Sequence, residues 1–417
     1  MNTVLTPKGT FIWIICALFF LYEFFLRTVL GTFQPSIMVD MNLTSVEFSI
    51  LSTAVFLIVY GMMQIPVGLI VDHVGLKKAL LIGSALCTLS VLGFAYSNVY
   101  SIALFFRALM GAGASFGLVC LLVSVNEWMP SNRQALFIGL SQFIGTMGPM
   151  IAAGPLDSIS ETSDLDWRTF FLLWSVVGGA LIVMILFFVE NNQQKKSHYI
   201  VLKRPEKVST AISRIFTRIQ PWYIALLSAM LFLGIEYLSE NEGRSFLALK
   251  DIPLSSASYM ITLSWIGYGF GCPLLGFLSD LLERRKIIIT ICAAINVMAM
   301  LLILYAQHRM VLQVAFLMLG FGSAGQSMGY VITAEQFKRK FVALGFGLNN
   351  AMVNTFSAVN APLIGSILHL NRFGKMEAYS VVFYILITVA LVGFLIAQFL
   401  IKETYGKSAV EFTVLKP

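Results

Sequence analysis

Charged side chains are scarce in this chain: Asp, Glu, Lys and Arg make up 12% of its 417 residues, against 58% hydrophobic. Water-soluble domains carry roughly 25% charged residues, so a soluble globule is excluded and the chain reads as an integral membrane protein. Strict apolar-polar alternation is also lacking, and the apolar runs are too long for barrel strands, which leaves helices. Histidine is rare. His73, His198, His308 and His369 fall in loops or near the ends of apolar segments, so no central histidine relay is available. The five cysteines, Cys16, Cys87, Cys120, Cys272 and Cys292, sit inside apolar segments without metal-ligand spacing; we expect neither a metal nor a disulfide. Neither H-E-x-x-H nor G-x-S-x-G occurs, and no nucleotide-binding loop is complete. The run Gly111 to Gly117 has the glycines of a dinucleotide loop but no strand before it. We therefore expect no enzyme activity and no cofactor.

What is present is length. A ~30 Å hydrocarbon core needs about 20 apolar residues per helix, and twelve runs qualify, near 11–39, 46–71, 79–97, 101–125, 135–156, 169–189, 221–249, 257–281, 287–306, 310–334, 342–368 and 378–401. The first is too long for a removable signal and lacks a clear small-residue cleavage site. Counting loops from the N-terminus, one side holds twenty of the twenty-eight Lys and Arg, and the other holds five: Arg168, Lys250, Arg309, Arg372 and Lys375. That asymmetry predicts both termini in the cytoplasm. The net charge of +7 is then an orientation signal rather than a sign of nucleic-acid binding. The one long polar stretch, 191–220, separates a six-span bundle over 1–190 from a second over 221–417. Its Ser209 to Arg218 part is amphipathic and basic, consistent with a helix on an anionic leaflet.

The two bundles are related. GLIVDHVGLKK (Gly68 to Lys78) and GFLSDLLERRK (Gly276 to Lys286) share a Gly, an Asp four residues later and a cation pair beyond. An offset of 208 to 209 carries Gly111 and Gly113 onto Gly320 and Gly322, Glu127 onto Glu335, and Ala135, Leu136, Gly139 and Leu140 onto Ala343, Leu344, Gly347 and Leu348. Internal duplication in an apolar chain points to a secondary transporter with its solute site between repeats.

Over essentially its whole length the chain resembles the major facilitator superfamily. Gly68, Asp72, Gly75, Lys77 and Lys78 match the signature loop between that family's second and third helices. The second copy departs, with Glu283 in the place of Gly75, which puts its tight turn in doubt. FRALMGAGASFG (Phe106 to Gly117) is similar to the family's fourth-helix pattern of an Arg followed by small residues. The resemblance implies an all-α membrane fold of twelve helices in two pseudo-symmetric bundles. Arg27, eight residues before Pro35, is spaced as in organic-anion and organophosphate carriers. FFLRTVLGTFQPSI and GLSQFIGTMGPMIAAGPL more closely resemble phagosomal nutrient transporters of intracellular bacteria, which implies amino acid or nucleoside import across a bacterial inner membrane.

A charge at the bilayer centre costs about 2.5–3.5 kcal/mol, so each one calls for a reason. Glu23 and Arg27 share a helix face; they read either as a self-neutralising pair or as an Arg27 fork for a carboxylate or phosphate, steadied by Glu23. Glu236 and Glu240 lie in a polar interruption of the seventh span, which is tolerated where backbone lines a cavity; Glu240 reads equally as part of an external loop. With no central histidine, the proton carrier is expected among Glu236, Glu23 and Glu240. Uncharged solute-site candidates are Tyr22, Tyr60, Gln64, Gln142, Tyr268, Gln326, Tyr330, Asn349, Asn350 and Asn354, because amides and phenols in spans either join helices or face solute. Arg107 reads as structural or gating. Gly68, Asp72, Gly75, Lys77, Lys78, Glu127 and Arg133, repeated as Gly276, Asp280, Arg285, Lys286, Glu335 and Arg339, form a cytoplasmic gating set, since contacts made in one state alone bias the equilibrium between states. The expected protein is a monomer in the lipid bilayer that moves a small polar organic solute, an amino acid or similar nutrient, with a proton. An organic-anion or organophosphate symporter or antiporter is the alternative.

Overall fold

The computed structural model describes residues 5–31, 33–44, 47–48, 50–153, 156, 166–191, 218–238, 243–337, 341–369 and 375–405. Among these residues every regular element is helical, as expected where each peptide group must find its partner within its own segment. Eleven helical stretches among the described residues are long and apolar enough to cross a membrane. The remaining expected span is the helix Val342–His369, so the twelve-helix reading holds. The basic amphipathic segment of the linker falls outside the described residues.

The first half runs α1 (Pro7–Thr28), α2 (Gln34–Asp40), α3 (Val55–Val74), α4 (Leu76–Ala95), α5 (Tyr100–Trp128), α6 (Gln134–Ala153) and α7 (Trp167–Phe188). Thr6 caps α1 by accepting the Gly9 amide at 3.2 Å, with Pro7 at the first helical position. The first apolar run is not one helix. It breaks at a 3-10 turn, Val29–Gly31, and resumes at α2, whose first turn holds Pro35; proline starts a helix readily and disfavours the helical state in the residue before it. The second half runs α8 (Ile219–Tyr237), α9 (Gly243–Ala248), α10 (Leu254–Leu282), α11 (Arg285–Tyr305), α12 (Arg309–Ser323), α13 (Gln326–Gln336), α14 (Val342–His369) and α15 (Lys375–Leu395).

The chain forms two compact units, one of Met1–Ser131, Ile144–Phe216 and Lys340–Leu348, the other of Asn132–Phe143, Thr217–Arg339 and Asn349–Pro417. In the first, α5 is the central element, with α1, α3 and α4 against it. Its small residues explain the closeness: a Cβ on Gly113 would strike the Cys87 backbone of α4, and one on Gly83 would strike Phe116. The Gly-rich run is thus a packing surface. In the second unit α12 packs on α10 and α11, and α15 on α11. Buried Lys250 fastens the end of α11, its Nζ donating to the carbonyls of Ile303, Leu304 and Ala306 at 2.9, 2.8 and 2.7 Å. This places a cation at the negative end of the helix. Burial pushes the Lys250 ammonium down to about 8, which leaves it charged at neutral pH.

The turn doubted from sequence forms. Gly75 turns the first loop at φ 83°, and Glu283 turns the second in the left-handed region at φ 54°, ψ 32°. A non-glycine residue there costs roughly 1–2 kcal/mol. Glu283→Gly is therefore expected to stabilise the protein by about 1 kcal/mol, read as a rise in Tm in detergent. A fall would mean that the Glu283 side chain, which accepts the Tyr405 hydroxyl at 3.4 Å, outweighs the backbone strain.

Candidate functional site

The repeated loop motif builds two matching helix crossings. Gly68 and Gly347 lie where α3 meets the start of α14: a Cβ on Gly68 would strike the Ala343 carbonyl, and one on Gly347 the Gln64 carbonyl. With the backbones this close, Asp72 reaches the first turn of α14 and accepts the amides of Ala343 and Leu344 at 3.3 and 3.1 Å. An acid at a helix N-terminus satisfies unpaired amides and the helix dipole together. Each residue has its counterpart 208 positions on or back. Gly276 approaches the Ala135 carbonyl, Gly139 approaches the Cys272 carbonyl, and Asp280 accepts the Leu136 amide at 3.1 Å.

Charge distinguishes the two copies. Arg285 is buried and donates to Ser279 Oγ at 3.0 Å, Asp280 at 2.7 Å and Glu335 at 3.0 Å. The segment after α15 closes over it: Glu403 accepts the amides of Arg285 and Lys286 at 2.9 and 3.1 Å, the Thr404 hydroxyl donates to Glu335, and the Tyr405 ring centroid lies 4.7 Å from the Arg285 guanidinium carbon. In the first copy the corresponding cap is neutral. Asn191 accepts the Lys77 amide at 3.0 Å, and the Lys77 ammonium donates to the Leu186 carbonyl at 2.6 Å. Glu127 is half-buried, Lys78 and Arg133 are exposed, and Arg339 lies outside the described residues.

Within the first unit, Arg107 is fully buried and spends its guanidinium on backbone. It donates to the carbonyls of Leu26 and Arg27 at the end of α1, and to that of Ser52, at 2.7, 3.1 and 2.7 Å, with the Phe56 centroid 4.3 Å away. The first two of these bonds go to carbonyls in the last turn of α1, where the first run breaks. Tyr60 stacks on Phe56 at 6.0 Å. Arg27 is half-buried, with Phe24 5.6 Å from its guanidinium carbon. Glu23 is buried against Gly117, and its Oε1 has no hydrogen-bond partner among the described residues, so that oxygen does not hold Arg27. Tyr22 stacks on Trp174 at 5.5 Å, and both amide atoms of buried Gln64 lack partners among the described residues.

The second unit joins most of its candidates into one chain of hydrogen bonds. Tyr268 donates to Gln326 at 2.7 Å and lies 3.5 Å from Gln142; Gln326 donates to Tyr330 at 3.2 Å, and Tyr330 to Asn350 at 3.1 Å. Asn354 bonds Asn350, and Asn349 donates to Thr333 at 3.2 Å. Phe232 and Trp265 pack edge-on against Tyr268, with centroids 5.6 and 6.0 Å away. Buried Glu236 accepts the Ser357 hydroxyl. Residues 350, 354 and 357 repeat at i, i+4 and i+7, so one stripe of α14 serves both the amide-phenol chain and the acid. Glu240 lies outside the described residues.

Sequence reasoning missed Ser357, Thr333, Trp174 and the segment Glu403 to Tyr405. Spacing along α14 would have found Ser357, three residues beyond Asn354. Glu403 comes after the last span as Asn191 comes after the sixth, 212 residues earlier.

A family profile described as the Major Facilitator Superfamily matches residues 15–241 and 240–412. Among solved structures, the chain is similar to the proton:xylose symporter XylE bound to 6-bromo-6-deoxy-D-glucose, at TM-score 0.77 and 15% identity, covering 98% of this chain and 99% of that one. It is also similar to the E. coli fucose:proton symporter FucP, at TM-score 0.68 and 15% identity, covering 93% and 97%. No curated protein matches.

Proposed function

This chain belongs to the major facilitator superfamily, and we propose that it is a proton-coupled symporter that imports a small polar organic solute, an amino acid or similar nutrient, across a bacterial inner membrane with both termini in the cytoplasm. The observation that supports this reading most is the shared stripe of α14, where Asn350 and Asn354 belong to an uncharged hydrogen-bonding chain and Ser357 holds Glu236. A solute taken by Tyr268, Gln326 and Tyr330 and a proton taken by Glu236 would then act on one helix, which is what coupling requires. Glu23 is the second candidate acid. The chain of amides and phenols carries no charge, and the two structural neighbours are named for sugars, so monosaccharides belong in the same test. Arg27 favours a second reading, transport of an organic anion or phosphate ester, since its planar fork matches such groups.

The test is a thermal-shift screen of the purified protein against amino acids, nucleosides, monosaccharides, organic acids and phosphate esters, and then counterflow in liposomes. A compound at 100 times its Kd stabilises by roughly 2.7 kcal/mol. Gln326→Leu should weaken both binding and uptake of the compound found. Binding without any counterflow would make the protein a receptor and end the transport reading, whereas an unaffected Gln326→Leu would move the solute site elsewhere.

We assign the Asp72 and Asp280 crossings to gating. Asp72→Asn is expected to slow uptake about tenfold, as the negative charge at the α14 N-terminus, worth about 1 kcal/mol, and one of the two accepted amides are lost from one state only, while affinity changes less than twofold. An affinity loss equal to the rate loss would place Asp72 in the solute site instead.

A further inference from the structure

The span Arg309–Gln336 is not one continuous helix. α12 ends at Ser323 and α13 begins at Gln326. At the join the amides of Gly325, Ser327 and Met328 bond only three residues back, to Gly322, Ala324 and Gly325. A change from the α to the tighter 3-10 pattern resets the direction and rotation of the helix beyond it. That helix carries Gln326 and Tyr330.

α11 is packed into this join. A Cβ on Gly322 would strike the backbone nitrogen of Asn296, and one on Gly325 would strike Cβ of Cys292. Asn296 is buried, the one amide side chain on an otherwise largely apolar helix. It donates both of its amide hydrogens: one to the Leu231 carbonyl of α8 at 3.0 Å, the other to Ser323 Oγ, the last residue before the join, at 3.1 Å. A single side chain therefore ties α8 and α11 to the point where the span changes course. An amide in a span is costly unless its hydrogens are taken up, and here both are taken up at this one place.

We propose that Asn296 is a positioning residue: it fixes the rotation at which α13 leaves the join, and with it the placement of Gln326 and Tyr330. This role rests on the proposed transport function, in which those two side chains take the solute. Asn296 touches none of the proposed solute groups itself. It acts through Ser323, and through the short helix that begins three residues later.

The test is hydrogen–deuterium exchange of the full-length protein in lipid nanodiscs, comparing wild type with Asn296→Leu, Ser323→Ala and the double variant. Leucine keeps the branching and heavy-atom count of asparagine and removes both donors. The expected result is exchange about tenfold faster at amides 323–330 in Asn296→Leu, with peptides from α1 to α7 unchanged. Exchange at 323–330 should also quicken in Ser323→Ala, and the double variant should go no faster than Asn296→Leu, because the two changes remove one shared bond. Unchanged exchange at 323–330, acceleration spread evenly over the chain, or additive effects would overturn the proposal. Should Asn296→Leu not fold, Ser323→Ala alone decides, since it deletes only the acceptor. Exchange needs no solute, so this outcome is separate from the fate of the solute reading, which Gln326→Leu uptake decides.

Discussion

Glu236→Gln is expected to lose proton-driven accumulation down to background while retaining most of its solute exchange. The acid is buried on α8 and held by Ser357, on the stripe of α14 that also carries Asn350 and Asn354. Glutamine keeps the shape and still accepts the Ser357 hydroxyl, but it cannot take up or release a proton. Accumulation against a gradient needs net proton movement; exchange of labelled for unlabelled solute does not. Both are read on the same proteoliposomes, the first with only a proton gradient imposed. If Glu236→Gln still accumulates solute, Glu236 is not the coupling acid, and Glu23, whose Oε1 is buried without a partner among the described residues, is next. Ser357→Ala should show the milder form of the defect, with accumulation reduced rather than lost, because the acid remains and only its hydroxyl partner has gone.

Arg285→Met should cost about 3–5 kcal/mol, the usual penalty for removing one partner of a buried ionic cluster. Its guanidinium stands between Asp280 and Glu335, whose side chains are 8% and 16% exposed. Without it, two carboxylates face each other with little water, and the seat of the segment Glu403 to Tyr405 is lost. The expected result in a thermal melt is a large drop in Tm and an aggregated profile on size exclusion. Adding Asp280→Asn and Glu335→Gln to Arg285→Met should restore much of the loss, since the uncompensated charges are then gone. Wild-type stability in the single variant would show that the cluster contributes nothing.

Apolar length made the helices legible, because a span must be long and uncharged. The repeat was legible because Gly68, Asp72, Gly276 and Asp280 are side-chain choices: a Cβ would clash at the crossing, and a short acid suits the helix end. Their partners were visible as repeated letters, Ala135 with Leu136 and Ala343 with Leu344, yet their role was not, because they contribute backbone amides that any residue supplies. Arg107 could be singled out as a charge within a span, but its acceptors could not, since all three of its oxygen acceptors are main-chain carbonyls. The join at Ser323 to Gly325 lies in a run of small residues that reads as ordinary close packing. The contact of Glu403 with Arg285 spans 118 residues with no periodicity to announce it. Individual amides and phenols were visible as polar residues within apolar runs, but composition could not say which would join; that needed the geometry of α10, α13 and α14.

The two acid-capped crossings also bear on how the chain is assembled during synthesis. Asp72 waits 271 residues for the amide of Ala343, and Asp280 grips an amide made 144 residues before it. Neither grip closes while only the first half has entered the membrane, so the early helices must sit in the bilayer with Asp72 unmatched and the start of α6 uncapped. The late helices therefore complete the early ones. Two fragments divided within residues 192–217 and produced together should find each other through these grips, whereas either fragment alone would keep an acid without its helix end and be a natural target for membrane quality control.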